Sequence, residues 1–532
     1  MNGIKLAIAV YLTAVTSVAN SAQDNAGGVL NYGEYGRPAT IDPITSNDMI
    51  AMRLTELIFN GLVGISEKQE IIPELAEKWE IDKEGKNYTF FLRKDVKWHP
   101  KPGEDAQPFT ADDVVFTFKV MAHPKTITPL KVRYEFIDTV EKIDANTVKF
   151  ILKRPILNSL AKFTFKIIPK HGPKNPSYLT REDPFAQRPI GTGPYMLKEI
   201  NSNQEVVLEV NQGYFGGKAK IQEFVAKPFA DQNIMVQALT FNAIDMIVMV
   251  NPRNLPELQG DKRFVLQPYN GLSYAFFGYN IRNPLLNDAR VRKAFTVAIN
   301  RQEMLKSFFN GQGEVISGPF APGSWAYNLD VKPQPFDKNK AIALLKEAGF
   351  QPGSDGILEK GGKKLTLTLK VPIEKENEGV KRVVLAFKNY LKTVGADVQV
   401  SFMEWQAWKE AIFGQHDFDI IFASWVFDDS ADISSLFHSA EIGAWKNNFG
   451  GYSSPEVDGL IVESKLTLDH EKRRTIYRKL HEVLADEAPY TFLWTLTNYS
   501  AYHKKVRHVA IHPYKFFPYA KSWFISGEDE KI

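Results

Sequence analysis

The 532 residues include no cysteine, so disulfides cannot hold this fold together and a lipid-modified cysteine cannot anchor a mature N-terminus. Stability has to come from packed apolar cores, and the composition allows that: 44% of the residues are apolar, 12% aromatic and 24% charged, far from the disordered regime. A single core of this size is unusual, so two or more lobes are expected, with the chain crossing between them more than once. Lysine plus arginine (65) nearly cancels aspartate plus glutamate (62). That balance argues against a nucleic-acid partner, which calls for a clustered basic face.

The N-terminal stretch has the pattern of a secretory signal. Lys5 precedes an uncharged run from Leu6 to Val18, small residues follow at Ser17, Ala19, Ser21 and Ala22, and the next charge is Asp24. The run is too short to span a bilayer, and cleavage after Ala19 or Ala22 fits the small-residue rule. A signal peptide over 1–22 is therefore expected. An exported chain without an anchor points to a closed compartment, the bacterial periplasm, with secretion to the outside as the alternative.

Helical periodicity begins sharply at Asp288, an N-cap, with Val291, Ala294, Phe295, Ala298 and Ile299 on one stripe. A second helix runs from Asp337 with Ala341, Leu344, Leu345 and Ala348 inward and Gly349 as its stop. A third follows Gly379, with Val380, Val383, Val384, Phe387, Leu391 and Val394 inward and Gly395 closing it. Strand-like runs at Lys364 to Val371, Asp397 to Phe402 and Phe418 to Trp425 alternate with these helices, the signature of an α/β lobe. Earlier, Tyr88 to Leu92 and Thr147 to Leu152 read as strands, and Thr110 with Asp113 forms a capping box opening a helix through Phe118, which suggests a smaller α+β unit.

Catalytic and metal chemistry is missing from the pattern. The ten histidines form no recognised metal motif, and His508 and His512 flank Val509 and Ile511 in strand-like alternation before Pro513. Gly213 to Lys218 lacks the Lys-Ser/Thr pair of a phosphate loop, and no nucleophile elbow occurs. No metal, no cofactor and no enzymatic activity are expected.

Several segments, in order along the chain, resemble the peptide/nickel-binding family of bacterial solute-binding proteins, family 5: Ala39-Thr-Ile-Asp-Pro43, Ile72-Pro-Glu-Leu-Ala-Glu-Lys-Trp79, Phe109-Thr-Ala-Asp-Asp-Val-Val115, Gly191-Thr-Gly-Pro-Tyr195, Asn211 to Phe215, Asn280, Asp288-Ala-Arg-Val-Arg-Lys-Ala294 and Leu344 to Gly349. The resemblance implies an α/β fold of the periplasmic-binding-protein type (type II), two lobes with a hinge plus a small inserted α+β domain. On that pattern the first lobe comprises 23–62, 190–283 and 498–532, the inserted domain 63–189 and the second lobe 284–497. It further implies a monomer that closes on an extended di- or oligopeptide and delivers it to the permease subunits of an ATP-driven (ABC) importer.

By the same resemblance, Ser424-Trp-Val-Phe-Asp428 matches a Trp-x-x-Asp loop in which the aspartate accepts the ligand's α-ammonium. Asp428 becomes the anchor, with the backbone of Ser424, Trp425 and Val426 as one wall of the ligand strand. Asp428 as a simple turn former is the competing reading. Lys381 and Arg382 are candidates for the ligand carboxylate at a helix start, Tyr274, Phe276 and Trp405 for the cleft lining, and Ala39 for the first-lobe side. Two departures stand out: Pro38 removes a backbone donor near the first-lobe strand, and Phe422 with apolar neighbours replaces basic residues seen in oligopeptide receptors. A short ligand, or a non-peptide one such as a peptide antibiotic, metal chelate, haem or oligosaccharide, therefore stays open, as does a sensory role.

Overall fold

The computed structural model describes residues 27–527 apart from 47, 68–69, 129, 157–158, 374–377, 428–430, 468 and 514. The expected signal over 1–22 lies outside the described residues, as does Asp428. A mixed sheet of 11 strands runs through the molecule in the order Asp397–Met403, Thr366–Pro372, Ile420–Val426, Phe264–Tyr279, Tyr490–His503, Met246–Ile247, Val29–Tyr35, Glu223–Phe229, Val206–Val210 and Tyr195–Ile200, with Gly313–Val315 also paired to Tyr490–His503.

Two of these strands are far longer than the rest. Phe264–Tyr279 and Tyr490–His503 pair antiparallel along their length, Phe264 opposite His503 and Gly278 opposite Tyr490. At one end the second of them pairs with Met246–Ile247, and at the other the first pairs with Ile420–Val426. Each half of the molecule is thus an α/β layer built on its own parallel strands, and the two long strands carry the sheet from one to the other. This is the two-lobed α/β architecture expected from the sequence.

The helices form for the reasons their sequences suggest. Asp288 accepts from the Arg290 N–H at the start of Ala289–Ala298, which buries Val291, Ala294, Phe295 and Ala298. Asp337 caps Lys338–Glu347 through the Lys340 N–H. Glu378–Lys392 packs Phe387 against Phe277 of the first long strand, ring centroids 3.8 Å apart, a burial that contributes roughly 2 kcal/mol per large side chain. The Thr110–Asp113 capping box opens Ala111–Ala122, one turn longer than the sequence stripe suggested. Strand-like alternation around His508 does not become a strand: His508 has φ +56°, which breaks extension.

The α+β unit is a four-stranded antiparallel sheet, Ala76–Ile81, Asn87–Leu92, Thr147–Leu152 and Ile137–Asp144 in spatial order. It has no separate core. Phe90, Phe150 and Phe163 pack edge-on or tilted against one another and join the same apolar cluster as Leu30, Tyr32 and Phe224 of the first lobe. Beside that junction, Glu56 is buried against Lys166 at 2.7 Å and Lys515 at 3.4 Å. Removing one partner leaves an uncompensated buried charge, so the trio fastens helix Met49–Ile58 to the chain's last segment.

Several motif residues have structural duties. Asp42 accepts from the Ile44 and Thr45 N–H groups (2.8 and 2.7 Å) and from both neighbouring threonine hydroxyls, which organises the loop after the first strand. Glu74 accepts from Asn60 and from the Gly61 N–H. Arg292 spends its guanidinium on the carbonyls of Leu286 and Asn287, just before its own helix, and on those of Glu487 and Ala488, acceptors left over at the end of helix His470–Glu487. At Gly191 a Cβ would lie 1.8 Å from the Ile58 carbonyl oxygen, so only glycine fits.

His99, His481 and His512 are buried, and burial lowers each to about 4. His99 is held neutral, Nδ1 accepting from the Gly191 N–H and Nε2 facing the Gly193 carbonyl. In the unfolded chain all three titrate near their ordinary value of about 6.5. Between about pH 6.5 and 4 the unfolded state therefore binds more protons, so stability falls as pH is lowered through that window, by at most roughly 3 kcal/mol per histidine. Urea unfolding from pH 7 to pH 4 checks this: the slope is expected to be steep below pH 6.5, and His481→Gln is expected to reduce it.

Candidate ligand-binding site

Within each half the parallel strands point their carboxyl ends the same way. Ile420–Val426 runs antiparallel to the first long strand, with Val426 opposite Ser273 and Ile420 opposite Tyr279, so its carboxyl end lies at the boundary between the halves. Thr366–Pro372 and Asp397–Met403 are parallel to it and end at the same edge. On the other side Met246–Ile247 runs antiparallel to the second long strand, and Val29–Tyr35 and Glu223–Phe229 follow its direction, which turns their carboxyl ends to the boundary from the opposite side. Open α/β sheets bind ligands in the crevice outside the carboxyl ends of their strands. Here two such crevices face each other.

Both edges are forked. Thr366–Pro372 and Ile420–Val426 pair at Leu369–Ile420 and Lys370–Ile421, and beyond this the ladder stops, so the backbone of Phe422 to Val426 has no strand partner on that side among the described residues. In the first lobe Val29–Tyr35 pairs with Met246–Ile247 at Tyr32 and Gly33, and the chain then diverges, Val250 donating to the Tyr499 carbonyl. An unpaired strand edge at the mouth of a crevice is a template for an added strand.

The side chains around these forks are unusually apolar for exposed positions. Val426 is 69% exposed, Tyr35 53% and Trp405 46%, with Met249 and Ile373 similarly open. Trp405 stacks on Trp408 (5.3 Å, 13°), which fixes its plane. Neither Tyr35 nor Met249 was anticipated from sequence. Their positions follow from strand pairing, which no short-range pattern reveals.

The remaining candidates divide. Ser424 is exposed and Trp425 half-buried, its ring parallel to Phe276 at 6.3 Å. Ala39 is exposed, its carbonyl accepting from Gln187. Lys381 and Arg382 are exposed on the first turns of Glu378–Lys392, and Arg382 lies over the Phe308 ring at 5.8 Å. Tyr274 and Phe276 are corrections to the expected cleft lining: both are fully buried, packed among Phe427, Tyr490 and Phe492, because the face of the strand they occupy is covered by the second lobe's own helices and loops.

Acidic residues near the strand ends are mostly committed. Asp48, Asp231 and Glu404 cap helices, accepting from Ala51, from Asn233 and Ile234, and from Gln406 and Ala407. Asp432 accepts from Ser434 with Lys465 beside it, and although burial works against its charge, these partners hold its carboxyl below the ordinary range. Glu34, at the end of the first strand, is buried against Arg53 in a bidentate pair (2.7 and 2.5 Å). Burial pushes Glu34 up, against the pull of Arg53. Among the described residues no group of three or more metal-ligating side chains occurs, and no helix is long and apolar enough to cross a membrane.

Residues 70–447 match the family described as bacterial extracellular solute-binding proteins, family 5. The chain belongs to this family. It is similar to the oligopeptide-binding protein AppA of Bacillus subtilis, 30% identical across 99% of this chain and 98% of that protein. The Escherichia coli dipeptide-binding protein is 29% identical, covering 96% of each. Among solved structures, AppA in complex with a nonapeptide superposes with a TM-score of 0.73 at 28% identity, covering 94% of this chain and 99% of that one. NikZ from Campylobacter jejuni, in complex with Ni(L-His), gives 0.74 at 26% identity, covering 93% and 99%. Family-5 proteins of closely similar fold are thus named for different solutes.

Among the described residues the buried hydroxyl of Tyr274 has no hydrogen-bond partner, an arrangement that costs free energy. Tyr274→Phe is therefore expected to leave thermal stability unchanged or raise it by up to about 1 kcal/mol, and to leave ligand binding unaltered. Calorimetric melting paired with titration of a dipeptide checks both.

Proposed function

We propose that this family-5 chain is the periplasmic substrate-binding component of an ABC importer, and that it takes an extended di- or oligopeptide into the crevice between its lobes. The peptide adds to the open backbone edge at Ser424 to Val426, and the Asp428 carboxylate receives its α-ammonium. Membrane permease subunits then accept the closed, loaded form. The observation that carries this reading is the forked strand edge: on the side facing Thr366–Pro372, Ile420–Val426 has no strand partner beyond Ile421 among the described residues, and two acidic residues, Asp428 and Asp429, follow Phe427 along the chain. Main-chain bonding along such an edge grips a peptide without reading its side chains. A buried ammonium needs a carboxylate, and neighbouring acidic groups are already occupied by helix N–H donors.

A second reading, a largely apolar non-peptide solute, draws on the exposed Trp405, Tyr35 and Val426. One experiment separates the two. In calorimetry with a tripeptide series, the parent chain is expected to bind the free-amine form about 100-fold more tightly than the N-acetylated form. Asp428→Asn is expected to abolish that preference by weakening only the free-amine ligand. Equal binding of free and acetylated peptides by parent and variant, or binding of neither, contradicts the peptide reading.

A further inference from the structure

The two long strands cross from lobe to lobe at a point where their packing thins out. First-lobe cores reach Tyr269 on one strand and Tyr499 on the other, and second-lobe cores begin at Tyr274 and Leu496. Between them Asn270 and Ser273 are exposed. The ladder loses register in the same place, between Asn270 and Tyr274 and again between Tyr274 and Phe276.

Glycines border this point on both sides. Gly271, on the first long strand, comes so close to its neighbour that a Cβ would lie 2.0 Å from the Leu496 carbonyl oxygen. Gly313 starts the short strand paired to the opposite edge of the second long strand, where it faces Leu496. A Cβ there would lie 2.5 Å from the Thr495 carbonyl oxygen and 3.2 Å from the Leu496 Cα. The backbone of Thr495 and Leu496 therefore passes between two backbones that approach it closely only because neither has a side chain. The Thr495 hydroxyl is buried beside Gly271 without a hydrogen-bond partner among the described residues.

We propose that Gly271 and Gly313 are the positioning residues of the hinge: the lobes turn about the backbone at Thr495 and Leu496, and the missing side chains set the balance between open and closed forms. A bend localises where no core side chain resists it and where the ladder is already broken. Val426, Tyr35 and Trp405 are exposed at the facing edges in the form described here. A Cβ at 271 or 313 is incompatible with this form and displaces the equilibrium away from it. The inference rests on the two-lobed binding reading, yet it concerns the ligand-free chain and needs no knowledge of the solute.

Because the chain has no cysteine, single cysteines introduced at the exposed positions Glu199 and Lys392 accept paired spin labels cleanly. Electron–electron distance measurements on the ligand-free protein are expected to give a shifted distance distribution for Gly271→Ala and for Gly313→Ala. Gly459→Ala, where a Cβ meets nothing within 4 Å, is expected to match the parent. Folded 271 and 313 variants with the parent's distribution overturn the proposal. Should neither variant fold, hydrogen exchange of the parent decides: amides at 270–273 and 495–498 are expected to exchange faster than those at 276–279 and 490–493 of the same strands, and uniform protection along both strands overturns it.

Discussion

The antiparallel pairing of Phe264–Tyr279 with Tyr490–His503 is the constraint on which the rest of the architecture depends. It makes one sheet out of two halves that otherwise own separate apolar cores, and it sets their parallel strands pointing toward each other. Two strands are enough to keep the halves in register and too few to make them rigid. A molecule with a stiff interior in each half and a thin bridge between them has one soft coordinate, the angle between the lobes.

That geometry also explains why the crevice looks as it does. At the carboxyl ends the ladders divide, at Lys370–Ile421 in one half and Gly33–Ile247 in the other, which leaves main-chain groups and large apolar side chains open to water. Such exposure is costly for a resting surface and is retained where something docks. Carboxylates near the rim are kept occupied as helix caps or, at Glu34, in a buried pair with Arg53. A cationic ligand group therefore finds few competitors for whichever acid remains uncommitted.

Much of the fold was legible in the sequence because its signals are local. Asp288 and Asp337 cap where side-chain chemistry says they should, and the stripes at Val291 to Ala298 and Val383 to Leu391 turn inward as the 3.6-residue period requires. The family motifs were legible as a set but silent about their duties: Asp42, Glu74 and Arg292 bind backbone and side-chain groups of their own chain rather than solute. Illegible were the features that need partners distant in sequence. The family resemblance placed Tyr274 and Phe276 near the cleft without saying which strand face the second lobe covers, and nothing near Tyr35 or Met249 announces an exposed rim. The ladder break after Lys370–Ile421 and the close pass of Gly271 against Leu496 arise from partners far apart along the chain.

Small-angle X-ray scattering of the chain, first stripped of bound solute by partial unfolding and refolding and then saturated with a tripeptide shown by titration to bind, tests the central claim most directly. If solute is enclosed between lobes joined by two strands, the radius of gyration falls on loading and the scattering curve changes shape as the cleft closes. A saturated complex whose scattering superposes on that of the stripped chain would contradict the account.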